Sequence, residues 1–204
     1  MKKFKLTTKS ITNEVGKKLF RIKALIDFGD VKAGELGGYV EKEGNVSQDD
    51  NAWVSGDAEV FGNAKVSGNA KVFGNAKVFG DALVFGRALV FGDAKVSDNA
   101  WVFGNARVSG DALISGNAKV SGDARVYDNA DYALVQGFGI KFRCTTFYRG
   151  KNEKIMVNCG CFHGDLEEFR KQVKETRSGK IAKEYLMIAD LMEYHFVSED
   201  SGDE

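Results

Sequence analysis

The chain has no proline in 204 residues, only two histidines and only three cysteines. Without proline, no turn rests on a ring-fixed φ, so the turns must come from residues that reach unusual backbone angles by themselves. Three cysteines and no apolar leader fit a reducing compartment better than a disulfide framework, and a cytoplasmic chain is the expectation. No apolar run approaches the ~18 residues that a membrane-spanning helix needs, so no membrane partner is expected. Formal net charge is zero, which leaves no overall field to draw nucleic acid. The first 23 residues depart from this balance, with eight lysines and arginines (Lys2, Lys3, Lys5, Lys9, Lys17, Lys18, Arg21, Lys23) against Glu14. They read as a solvated basic hairpin at one end of the fold.

What the chain does have is a repeat. Valine or isoleucine recurs every six residues from Val54 to Val126, thirteen times without a break. Alanine follows four residues after each, from Ala58 to Ala130. Glycine stands two after the aliphatic except at Asp98 and Asp128, and Asn or Asp comes next except at Arg87. The unit is Val-x-Gly-Asn/Asp-Ala-x. In Ala-x-Val the first and third side chains share one face of a short strand and point inward together. Gly-Asn and Gly-Asp then turn the chain at little steric cost. Three such units close a triangular coil of 18 residues, and coils stack roughly 4.8 Å apart through parallel backbone hydrogen bonds. Period six and recurrent glycine exclude an α-helix. Val40 and Val46 extend the register backward, and the eight-residue step from Val46 to Val54 implies a two-residue insertion near Gln48–Asp50.

This unit, aliphatic first and small fifth as in Val54 and Ala58, resembles the bacterial hexapeptide-repeat family. The resemblance covers about half the chain and implies a left-handed parallel β-helix, here of about five coils. The segment Asp27-Phe-Gly-Asp-Val-Lys-Ala-Gly-Glu-Leu-Gly-Gly-Tyr-Val-Glu41 is similar to the start of uncharacterised hexapeptide-repeat proteins of bacteria and their prophages, often labelled acyltransferases by fold analogy. Cys159-Gly-Cys-Phe-His-Gly-Asp-Leu-Glu-Glu-Phe169 resembles a tail module of prophage-type proteins of unknown function.

A solenoid needs caps at both ends. Residues 1–37 are expected to form an N-terminal β-hairpin cap with strands over 3–7 and 18–26, and residues 38–132 the β-helix. Residues 133–197 read as a β-β-α-α module. Its hairpin joins Phe138–Tyr148 to Lys154–Asn158, and Asp165 with Glu168 forms a capping box for the first helix. A second helix spans about Ile181 to His195. Residues 198–204 form an acidic, disordered tail.

Catalytic groups are scarce. The acyltransferases that the family resemblance implies use a histidine base, which must reach the attacking group. The repeats hold no histidine and no insertion after Val54, so no catalytic residue is assigned. No cofactor is expected. The Asn/Asp column (Asp57, Asn75, Asp93, Asp111 and Asn129 on one edge) reads as corner structure rather than a calcium site. Cys144, Cys159, Cys161 and His163 are the one metal-like set. A hairpin symmetric about residues 151 and 152 places Cys144 across from Cys159 and brings all four to one face. Cys-x-Cys-x-His is not a standard zinc spacing, so the set is read as core and no metal is assigned.

The remaining candidate is a surface. Residues before valine are mainly basic, and those after it are phenylalanine in the middle coils. Phe73, Leu83, Phe85, Arg87, Leu89, Phe91, Trp101 and Phe103 form the predicted interaction belt, either packed in the corners or exposed for a partner. The expected function is a non-enzymatic binding or scaffold protein with the β-helix as a rigid platform. Its partner is a protein whose identity cannot be read. Self-association into a trimer or dimer is expected, since related β-helix proteins commonly form trimers. The prophage resemblance implies a narrower version, a phage-encoded accessory protein that binds and blocks a host defence factor. The alternative is an acyltransferase of the hexapeptide-repeat family.

Overall fold

The computed structural model describes residues 2–139 and 143–196. It is mainly β: a parallel β-solenoid of about five turns, followed by strands and two helices. Each rung is a two-residue strand, from Trp53–Val54 to Arg125–Val126. The rungs sort onto three faces. One carries Lys65, Leu83, Trp101 and Lys119; the second carries Trp53, Lys71, Leu89, Arg107 and Arg125. The third carries Glu59, Lys77, Lys95 and Leu113.

The inward assignment holds at every rung. Each valine or isoleucine of the repeat, and each alanine from Ala58 to Ala124, is at most 1% exposed. A valine so buried contributes roughly 1.5–3 kcal/mol relative to an exposed one, and the column repeats that gain three times per coil. The corners explain the glycines. Gly86 has φ +72°, and a Cβ there would lie 3.0 Å from the backbone nitrogen of Gly104 in the next coil. Asp98 takes the same left-handed conformation, φ 55°, and its carboxylate accepts from the Gly116 amide at 2.9 Å. Asp128, the other departure from glycine, is extended and caps a short 3-10 turn, Asn129–Asp131, where the coil ends.

The Asn/Asp column is used between coils. Asn63 donates to Asp81 at 3.1 Å, Asn75 to Asp93 at 3.0 Å and Asn105 to Asp123 at 3.0 Å. The insertion also lies where the spacing placed it. Val46 bridges Val66, twenty positions on, whereas Val54 pairs Val72 at the regular eighteen.

At the start, strands Phe4–Thr12 and Lys18–Ala24 form an antiparallel hairpin that pairs with Leu36–Val40 and continues the third face. Most of the basic residues here are exposed, as expected, and Lys3 is the exception. Lys3 is 2% exposed and its ammonium donates to the carbonyls of Asp50 and Ala52 at 2.7 and 2.9 Å. Burial pushes its pKa down, with the Asp50 carboxylate opposing that effect. Lys17 pairs with Glu41, and Glu14 with Lys77, so the hairpin is clamped to the first coils.

At the other end the β-β-α-α reading is short by two strands. A four-stranded antiparallel sheet, Tyr132–Phe138, Arg143–Arg149, Ile155–Cys159 and Phe162–Asp165, precedes α1 (Leu166–Thr176) and α2 (Gly179–Phe196). The expected strand Phe138–Tyr148 includes residues 140–142, outside the described residues. So do residue 197 and the predicted acidic tail. Asp165 caps α1 as expected, accepting from the Glu168 amide at 3.0 Å, with Glu168 reciprocating at 2.9 Å. One sheet face closes the last coil through Tyr148, which is fully buried with the valine column. The other packs Phe147 and Val157 against Phe169 and Val173 of α1 and Ile188 and Met192 of α2.

Candidate functional site

The predicted belt is two edges of the triangular solenoid rather than one flat patch. Phe85 and Arg87 sit on the corner between the Leu83 rung and the Leu89 rung. Phe85 stacks on Phe103 one coil later, ring centroids 4.9 Å apart and planes 1° from parallel. Leu83 pairs with Trp101 on the first face, and Trp101 meets Phe85 edge-on at 6.2 Å. Phe73 and Phe91 stack at 4.9 Å on the corner beyond Leu89. The phenylalanines are half-buried, so the ladders both pack the corners and keep an outer surface. Trp101 is 37% exposed, and Lys119 lies over its ring at 4.5 Å. Arg87 is exposed and breaks an Asn column whose neighbours are Asn69 and Asn105.

The cysteine set comes together only in part: Cys159, Cys161 and His163 line one cleft, and Cys144 is not among its walls. Thr145, not Cys144, is opposite Cys159, because the Arg149–Glu153 turn is one residue out of the expected symmetry. A one-residue shift in a strand moves a side chain to the other face. Cys144 therefore points with Thr146 and Tyr148 toward the solenoid, where its thiol meets the Asn117 carbonyl at 3.3 Å. Cys159 points with Phe147 toward the helices and accepts from the Thr145 hydroxyl at 3.1 Å. Cys161 is exposed in the following turn. Burial pushes the Cys144 thiol pKa up. Among the described residues no group of three or more His, Cys, Asp or Glu could hold a metal ion.

His163 takes part in a different arrangement. Its Nδ1 lies 3.0 Å from Asn158 Oδ1 and 3.5 Å from the Tyr148 hydroxyl. Asn158 in turn donates to the Lys119 carbonyl at 2.7 Å and to Ser121 at 3.0 Å. The Tyr148 hydroxyl is buried, which raises its pKa. The cluster fastens the last coil to the C-terminal sheet and uses its polar groups in doing so.

Two features escaped sequence reasoning. The first is a cleft of about 520 Å³ between the C-terminal sheet and α1, with Arg143, Arg177 and Tyr185 among its walls. Its residues come from separate elements, and no spacing links them. The second is an outward stripe on α2, Met187, Leu191 and Tyr194, exposed by 62%, 59% and 81%. Its spacing is helical, but it lies beside the inward stripe of Tyr185, Ile188 and Met192 and was masked by it.

No protein-family model matches the chain. A search of curated proteins also finds no match. No helix among the described residues is long and apolar enough to cross a membrane.

Proposed function

We propose that the chain is a non-enzymatic binding scaffold that self-associates through the apolar edge of its middle coils. The observation that carries this reading is the pair Leu83 and Trp101. They stand in register on a face whose flanking rungs are Lys65 and Lys119, with the Phe85–Phe103 ladder beside them. Apolar groups gathered on one part of a solvated surface mark an interaction site. A second copy is the partner that carries the same edge, and closed homo-oligomers are built from such repeated patches. The α2 stripe offers a separate surface to a protein partner. A phage-encoded accessory protein that blocks a host defence factor is the narrower form of this reading, supported by the resemblance of the segments 27–41 and 159–169.

Tryptophan emission tests the self-association. Trp53 is buried beneath the N-terminal cap at 3% exposure, so a change in solvent exposure reports mainly on Trp101. Dilution from high-micromolar to nanomolar concentration should shift emission to longer wavelength as the Trp101 face is uncovered. A spectrum independent of concentration contradicts the reading. Coenzyme A retained by the purified protein would favour the acyltransferase alternative.

A further inference from the structure

The cleft between the C-terminal sheet and α1 combines an apolar floor with a cationic rim. Phe162, Phe169 and Val173 supply the floor, and Arg143 and Arg177 approach from the sheet and from the end of α1. Tyr185 of α2 closes one side, its hydroxyl donating to the Phe138 carbonyl at 3.3 Å. No aspartate or glutamate is among the described residues that line it.

The Arg143 guanidinium lies over Gly160, φ +63°, and the Tyr185 hydroxyl over Gly139, φ +70°, each in space that a Cβ would occupy. Both polar groups therefore lie over backbone that leaves them room. Like charges facing one cleft repel, and an anion between them adds two attractions that outweigh that repulsion. A guanidinium fork also matches a carboxylate or phosphate in a bidentate manner. The volume of about 520 Å³ is in the range of small-molecule sites.

We infer that this cleft binds a small organic anion: one carboxylate or phosphate monoester held by Arg143 and Arg177, with an apolar aromatic body packed against Phe162 and Phe169. The site is distinct from the solenoid edge and does not depend on self-association.

Calorimetric titration of the full chain with 1-naphthyl phosphate, 1-naphthoate and neutral 1-naphthol tests it at low ionic strength. At least one anion should bind, and at least about tenfold more tightly than naphthol, given the usual strength of hydrogen bonds to charged groups. Tighter binding of the phosphate assigns a phosphate monoester, and tighter binding of the naphthoate assigns a carboxylate. Arg143→Gln and Arg177→Gln should each weaken the anion by about tenfold or more while leaving naphthol unchanged. Arg177 is exposed, so its variant decides the matter even if Arg143→Gln disturbs folding. The Leu83→Lys, Leu89→Lys double variant should bind the anion as the wild type does, which separates this result from the scaffold reading. Failure of both anions to bind at millimolar concentration, binding no tighter than naphthol, or an unchanged affinity in Arg177→Gln overturns the inference.

Discussion

The Asn158 side-chain amide donates to the Lys119 backbone carbonyl at 2.7 Å, and this bond joins the C-terminal sheet to the last turn of the solenoid. The same nitrogen lies 3.0 Å from Ser121 Oγ and 3.1 Å from the Tyr148 hydroxyl, so one side chain serves the polar groups of a buried end. Asn158→Ala removes the donor to the Lys119 carbonyl, while Ser121 Oγ and the Tyr148 hydroxyl keep each other at 3.3 Å. The expected loss is about 1–3 kcal/mol in denaturant unfolding. Hydrogen exchange should accelerate in the last coil and the C-terminal sheet before the middle coils change. Uniform acceleration along the chain would show that Asn158 does not act as a local fastening.

Lys3 performs the matching task at the start. Its ammonium covers the carbonyls of Asp50 and Ala52, beside the inserted residues that widen the first coil. Lys3→Met keeps the length of the side chain and removes the donors. A loss of about 1–3 kcal/mol is expected, with faster exchange near Ala52. Unchanged stability would mean that water satisfies these carbonyls as well as lysine does.

The belt position Arg87 gives a prediction of opposite sign. It stands between Asn69 and Asn105 in a column where Asn51 donates to Asn69 at 2.9 Å and Asn105 donates to Asp123 at 3.0 Å. Arg87→Asn completes the column and should leave stability unchanged or raise it by up to about 1 kcal/mol. Val90→Asp in the same coil should cost more than about 3 kcal/mol, because it places a carboxylate among stacked valines. Thermal melting of the two variants checks both. A destabilised Arg87→Asn, or a Val90→Asp that melts as the wild type does, contradicts the assignment of outward and inward positions.

Asp165 couples the C-terminal module to pH. The Glu168 amide and then Lys154 hold its carboxyl below the usual carboxylate range. A folded pKa depressed in this way stabilises above the unfolded value, and the stabilisation is lost as pH falls from that value through the folded one. Asp165→Ala should cost about 1 kcal/mol at neutral pH, the usual worth of a helix cap. The difference from wild type should shrink as the carboxylate protonates in acid. A pH-independent difference would assign the effect to packing instead of to the charged cap.

The solenoid was legible because its physics repeats. One residue pattern meets one geometry thirteen times, and even the insertion after Val46 shows as a break in the count. The C-terminal module has no such redundancy. The strand Phe162–Asp165 was hidden because Cys161 to Asp165 is short and leads directly into α1. Placing Cys144 opposite Cys159 failed by one residue, and in a sheet one residue separates the two faces. The belt was legible as composition and as stacking order, since Phe73 on Phe91 and Phe85 on Phe103 follow from the 18-residue coil. Its division over two edges and its half-buried state depend on how rings lie at a corner, which spacing does not state. The cleft of Arg143 and Arg177 required the tertiary fold.

The solution mass of the wild type and of the Leu83→Lys, Leu89→Lys double variant, measured by light scattering at high-micromolar concentration, tests the scaffold account most directly. Both leucines are half-buried on outward positions of adjacent faces, so the lysines can reach water without disturbing the valine column. The account predicts a wild-type mass above one chain, a trimer or dimer, and a double variant that melts like the wild type yet moves toward the mass of one chain. A wild-type monomer at that concentration, or an oligomer that persists unchanged in the folded double variant, would contradict it.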